Sequence, residues 1–155
     1  MTKTIIGVIS DTHGLLRPEA KQALQGCNAI LHAGDIGTTE VLDELRAIAP
    51  LHAVRGNVDC AAWAMAYPET EAVEIGGKYF YVIHNIDKLD IDPAEAGFDA
   101  VIFGHSHRQY DEIKNGVLYF NPASAGPPRF SLPVSLGRFC IEDGVIGTEF
   151  IHLMD

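Results

Sequence analysis

Cysteine is scarce in this sequence, and its scarcity removes several classes at once. Only Cys27, Cys60 and Cys140 occur, an odd number, far apart and without a C-x-x-C spacing. Neither a disulfide framework nor a cysteine-ligated zinc site is supported, and reduced thiols in a cytoplasmic protein are expected. Positive charge is also short: 11 Lys and Arg stand against 21 Asp and Glu, a formal net charge of −10. A surface that negative repels a phosphate backbone, which disfavours generic nucleic-acid binding. No apolar run reaches the roughly 18 residues that a membrane span requires. The opening MTKTIIGVISDTHG has no signal-peptide core, because Asp11 and His13 interrupt it. Repeats, low-complexity tracts and linkers are missing too. Residues 1–155 are therefore expected to form one domain, with the 47% hydrophobic and 21% charged residues of a soluble globular protein.

What is present is an alternation. TIIGVI (4–9), AILHA (29–33) and LHAVR (51–55) read as strands, separated by helices over 18–25 and 39–48. Pro18 suits the first helical position and Gly26 a C-cap, while Val41, Leu42, Leu45 and Ile48 recur at helical spacing before Pro50. The β-α-β-α-β order predicts a parallel, helix-flanked sheet. The second half is richer in strands. Residues 72–84 predict a hairpin turning at Gly76-Gly77, a short helix is expected over 93–97, and 100–104 reads as a buried strand. Two further hairpins turn at Asn115-Gly116 and Asp143-Gly144. The sum is a mixed α/β fold, two sheets packed face to face with helices outside.

Polar residues collect at one end of these runs. The first strand finishes in Asp11-Thr12-His13, the second in Gly34-Asp35, the third in Gly56-Asn57, the YFYVI run in His84, and VIFG in His105 and His107. Any one of them is ordinarily a turn residue or a helix cap. Five at the carboxyl ends of five strands are another matter, because that edge is where open α/β sheets bind ligands. Imidazole, carboxylate and amide oxygen without thiolate suit catalytic Mn, Fe, Ni, Co or Zn. Seven ligands are too many for one four-coordinate ion and suffice for two if one carboxylate bridges. Two divalent ions would also bring the net charge of −10 to about −6.

In this order, D-T-H (11–13), H-A-G-D (32–35), R-G-N-V-D (55–59), V-I-H (82–84) and G-H-S-H (104–107) resemble the calcineurin-like metallophosphoesterases, in particular their small YfcE-type branch of compact phosphodiesterases; N-P-A-S (121–124) is similar to that branch's N-P-G-S loop. The resemblance covers nearly the whole chain. It implies a four-layer αββα sandwich and a dinuclear centre, with Asp11, His13 and His107 on one metal, Asn57, His84 and His105 on the other, and Asp35 bridging. It implies manganese first among the candidate ions, and a bridging hydroxide attacking phosphorus in line, with Asp35, Asn57 and His84 central to catalysis. The expected substrate is a small soluble phosphoester, and the expected assembly a homo-oligomer, dimer or tetramer.

Three positions depart from the family pattern. Val58 follows the motif Asn57 where many members carry a proton-donating His. Asn85 replaces a Gly after His84, and is expected to narrow the entrance or shift His84. Ala123 replaces Gly in N-P-G-S, and Ala resists φ > 0. A catalytically weak relative serving as a protein-interaction scaffold is the alternative that Val58 and Asn85 support; the intact set of seven ligands argues against it. His32, His52 and His152 are expected to be ordinary strand or terminal residues, and Trp63, Met65 and Tyr67 a cover for the core. Cys60 is expected to be a small buried hydrophobe, Asp59 a weak candidate acid, and Arg55 and Arg108 either substrate contacts or partners of the many acids.

Overall fold

The computed structural model describes residues 3–154. Ten strands form two mixed five-stranded sheets. The first runs in the order β10 (Val145–His152), β9 (Ser135–Glu142), β1 (Thr4–Ile9), β2 (Ala29–His32), β3 (Leu51–Ala53), and the second β4 (Thr70–Ile75), β5 (Lys78–Ile83), β6 (Ala100–Ile102), β8 (Val117–Pro122), β7 (Gln109–Lys114). β1, β2 and β3 are parallel, as are β5, β6 and β8. Helices α1 (Pro18–Leu24) and α2 (Thr39–Arg46) make the crossovers of the first group.

Period-two alternation divides each central strand between two cores. Ile6 and Val8 of β1 and Leu31 of β2 point between the sheets, where they meet Phe80, Ile102, Phe120 and Phe139. Ile9 and Ile30 point the other way, onto Leu24 of α1 and Val41, Leu42 and Leu45 of α2. Val101 and Phe103 face the outside of the second sheet, with Ile83 and Val117. That face is covered by Ile86 and Leu89, in and beside the 3-10 turn Ile86–Lys88.

The helix expected over 93–97 is not formed; the segment is a single capped turn. Asp92 Oδ1 accepts from the N–H groups of Ala94 and Glu95, the Ala96 N–H donates to the Asp92 carbonyl at 3.0 Å, and Gly97 at φ +88° ends it. One turn fixes several dihedrals for very few hydrogen bonds, so without a second turn it stays a turn. Elsewhere the expected elements form to within one or two residues. The Asn115-Gly116 and Asp143-Gly144 pairs both have two consecutive positive φ values, the geometry of tight two-residue hairpins. The three cysteines are free, and among the described residues no helix is long and apolar enough to cross a membrane.

The inter-sheet packing leaves no slack at Gly137. The Phe120 ring is stacked on Phe150 at 4.9 Å and edge-on to Phe139 at 4.7 Å. A Cβ on Gly137 would overlap Phe120 Cε1 and stand 2.7 Å from its Cζ and 3.3 Å from Val8 Cβ. Gly137→Ala is expected to destabilise by about 1–3 kcal/mol, the usual range for an overfilled core, read from the urea midpoint; an unchanged midpoint would show that the ring has room to move.

Candidate metal centre

Both parallel strand groups present their carboxyl ends to the same edge of the sandwich. β1 leads to Asp11 and His13, β2 to Asp35, β3 to Asn57, β5 to His84 and β6 to His105 and His107. The structure brings Asp11, His13 and His107 together as one donor group and Asp11, Asp35 and His84 as another, the donor atoms within 4.8 Å of one another in each. The His105 ring lies 5.3 Å from that of His84, and Asn57 shares a groove with His84. His105 and Asn57 are exposed, and His105 stands outside the two tight groups.

Asp11 and Asp35 each have one oxygen tied down by protein donors and the other turned toward the histidines. Asp11 Oδ2 accepts from the Ser10 hydroxyl at 2.7 Å and from the His105 N–H at 3.2 Å. Its Oδ1 has no hydrogen-bond partner and faces His107 Nε2 at 3.3 Å, His13 Nε2 at 3.8 Å and His84 Nε2 at 4.0 Å. Asp35 Oδ1 accepts from the Val58 N–H at 3.0 Å, while Oδ2 lies 3.2 Å from His84 Nε2 and 3.8 Å from His13 Nε2, between the two groups. The His84 Nδ1–H donates to the Ala33 carbonyl at 2.7 Å, which leaves the Nε2 lone pair facing the cluster. His13 Nε2 and His107 Nδ1 are likewise buried without a hydrogen-bond partner. The unpaired Asp11 Oδ1, His13 Nε2 and His84 Nε2, with His107 Nε2 beside them, are a donor set that fits divalent metal ions.

The electrostatics agree. Burial by itself would raise Asp35, but the bond to His84, the Val58 N–H and the charges of His84 and His13 hold its carboxyl down at about 2. Burial would lower His84, yet the Asp35 and Asp11 carboxylates hold its imidazole above the usual range. A metal ion would require the neutral imidazole, so its binding is expected to strengthen as pH rises.

Five of the seven candidate ligands have left-handed backbones: Asp11 (φ 55°), His13 (48°), Asp35 (57°), His105 (73°) and His107 (62°). Such conformations persist where neighbours over-determine them, and the neighbours are residues that sequence reasoning undervalued. Asp59 is 2% exposed, and its oxygens accept from the N–H groups of Ile36 (3.0 Å), Gly37 (3.0 Å) and Gly56 (2.9 Å), clasping the Asp35 loop to the Asn57 loop. With both oxygens occupied it is a brace and not an acid. Asn121 donates to the Gly104 carbonyl at 3.0 Å, and the Ser124 hydroxyl to the Asp11 carbonyl at 2.9 Å. His32 is enclosed: its Nδ1 accepts from the Gly34 N–H, its Nε2 pairs with the Thr12 hydroxyl, and burial first of all lowers it to about 4.

The departures from the family pattern leave the ligands in place. Ala123 adopts φ +69° in spite of its Cβ, and its N–H donates to Asn121 Oδ1. The Asn85 side chain caps the turn over 86–88 and does not displace His84. Arg55 is engaged by Glu69 and the Tyr67 carbonyl. Trp63 and Tyr67 pack on the core, whereas Met65 is exposed. Asp59→Ala is expected to raise the half-saturating metal concentration about 10–100-fold, as loss of a ligand-orienting group does elsewhere, and to lower the stability of the metal-free protein in urea. Calorimetric titration with manganese reads the first effect, and unchanged affinity would remove Asp59 from the metal centre.

Residues 5–144 match the calcineurin-like phosphoesterase superfamily domain. The chain is 34% identical over 152 residues to the probable metallophosphoesterase MJ0623 of Methanocaldococcus jannaschii, across 90% of this chain and 77% of that protein. It is 29% identical over 136 residues to phosphodiesterase MJ0936 of the same organism, across 76% of this chain and 81% of the relative. Among solved structures, Vps29 of Entamoeba histolytica complexed with Zn²⁺ shares the fold at a TM-score of 0.71 and 22% identity, across 97% of this chain and 100% of that one. A match over nine-tenths of the sequence, on a sandwich whose strand ends gather these donors, places the chain in the calcineurin-like phosphoesterase superfamily.

Proposed function

We propose that the protein is a phosphodiesterase that hydrolyses a small soluble phosphoester with two divalent metal ions, manganese first among them. The observation that carries this reading is the pair of buried carboxylates, each with one oxygen fixed by protein donors and the other turned toward unpaired imidazole nitrogens. Asp11, His13 and His107 would hold one ion and Asn57, His84 and His105 the second, with Asp35, whose Oδ2 lies between His13 and His84, as the carboxylate shared by both. When bound, the ions supply Lewis acidity toward the phosphoryl oxygens and the attacking water of an in-line displacement. The protein's own contribution is placement. The Val58 N–H fixes the bridging carboxylate, the Ala33 carbonyl fixes the His84 tautomer, and the Asp59 brace keeps the two ligand loops in register. We place the enzyme in the cytoplasm as a homo-oligomer, consistent with its free thiols.

The Val58 side chain is 54% exposed beside the ligands and has no proton to give a leaving oxygen. A general acid typically contributes 10²–10⁴-fold, so turnover falls on the leaving group's own acidity. The kcat/KM for nitrophenyl esters is expected to exceed that for alkyl esters by at least about 100-fold; a flat dependence on leaving-group pKa contradicts this.

The second reading, a scaffold that kept the fold and lost catalysis, is favoured by the Vps29 likeness and by Val58. Metal-loaded protein with bis(4-nitrophenyl) phosphate separates the two. Turnover supports the enzyme, and its absence across manganese, nickel, cobalt, iron and zinc supports the scaffold. Asp35→Asn is expected to abolish turnover and lower bound metal together; a variant that retains both rate and metal ends the bridging assignment.

A further inference from the structure

A groove of about 840 Å³ leads away from Asn57 and His84. That is near the upper end for small-ligand sites, and a phosphoryl group alone fills a minor part of it. Most of the groove therefore faces the arm of the ester that is not being attacked. Buried Ile83, half-buried Tyr81 and exposed Met65 give this arm an apolar and aromatic surface. The charges along it can be followed individually. Arg55 is taken by Glu69 at 3.6 Å and by the Tyr67 carbonyl, and the Asp59 oxygens are taken by backbone N–H groups. Lys88 and Asp90 also line the groove, and among the described residues neither forms an ion pair.

The backbone that carries Lys88 is set by its own turn. Asn85 Oδ1 accepts from the Asp87 N–H and the Asn85 carbonyl from the Lys88 N–H, both at 3.0 Å, which closes the 3-10 turn directly after the ligand His84. In a chain of net charge −10, an unpaired ammonium set into a groove beside a phosphoester site is a local exception to the surrounding potential.

We propose that this groove selects phosphodiesters whose far arm carries a second anionic group, with Lys88 taking that group and Asp90 accepting from hydroxyl or amino donors on the same arm. A 5′-phosphorylated dinucleotide combines these features. The inference rests on the phosphodiesterase reading above, but its test is separable from it. The full chain, loaded with manganese, is titrated calorimetrically with phosphorothioate-linked diadenylate with and without a 5′-phosphate. The phosphorylated form is expected to bind about tenfold more tightly, the scale of one charge-assisted contact, with the ratio shrinking as salt is added. Lys88→Met brings the ratio close to one, and Lys88→Arg keeps most of it. Equal affinities in the unaltered protein, or a preference that survives Lys88→Met, overturn the proposal. Turnover of bis(4-nitrophenyl) phosphate by the same preparations is read separately. Its absence removes the phosphodiesterase reading, while the binding ratio still decides the role of Lys88.

Discussion

Two carboxylates, Asp11 and Asp35, are buried at 0% and 5% exposure with their free oxygens turned toward the same imidazoles. Burying like charges together is among the costlier arrangements a fold can contain unless positive charge accompanies them. Among the described residues no lysine or arginine reaches either group, and every ion-pair contact they make is with a histidine. Hydrogen bonds from Ser10, His105 and Val58 relieve one oxygen of each. What remains is satisfied by protons on the rings or by cations in their place. The raised His84 and the lowered Asp35 are the metal-free form of that balance. Divalent ions would settle it with more charge and at fixed positions.

The loops that create this problem are themselves strained. Five left-handed non-glycine residues, at roughly 1 kcal/mol each, amount to several kcal/mol in a molecule whose net stability is of order 10 kcal/mol. The chain tolerates them because the loops are locked together from behind. A Cβ on Gly56 would overlap Asp35 Oδ1, and one on Gly104 would overlap the Ser10 hydroxyl. At these two points a backbone without a side chain lies directly against a ligand or its support. Asp59, Asn121 and Ser124 then bridge loops that are far apart in sequence, and none of the three faces the free carboxylate oxygens. The brace and the ligand set are different residues with a single purpose.

The parts of this arrangement that were legible in the sequence follow from period and position. The apolar runs TIIGVI and AILHA foretold strands, and Asp11, Asp35, His84, His105 and His107, placed just after apolar runs, foretold a shared edge. Braces were not legible, because Asp59 in R-G-N-V-D reads as no more than a weak candidate acid until the three N–H groups it accepts from are seen to come from two loops. Left-handed φ at Asp11 or Ala123 leaves no mark in a single sequence, since the tertiary contacts that force it are long-range. The segment 93–97 failed for the opposite reason. Its composition allows a helix, but Gly97 and the Asp92 cap close it after one turn.

The positions where the chain departs from its family are not scattered. Val58 is exposed next to the candidate ligand Asn57, Asn85 shapes the turn that carries Lys88, and Ala123 lies in the loop behind the GHSH segment; the seven candidate ligands are unaltered. A fold kept only as a docking surface gains nothing from Asp11 Oδ1, His84 Nε2 or His107 Nδ1 left buried without a hydrogen-bond partner. Each such atom costs about 1–3 kcal/mol, and replacement by apolar residues of similar size would remove that cost. Retention of the donors together with change on the substrate side is the pattern expected when the class of ester is altered and the chemistry retained. In the proposed reading, a protonless Val58 and a groove lined by Lys88 are specificity moved from the leaving oxygen to the far arm of the substrate.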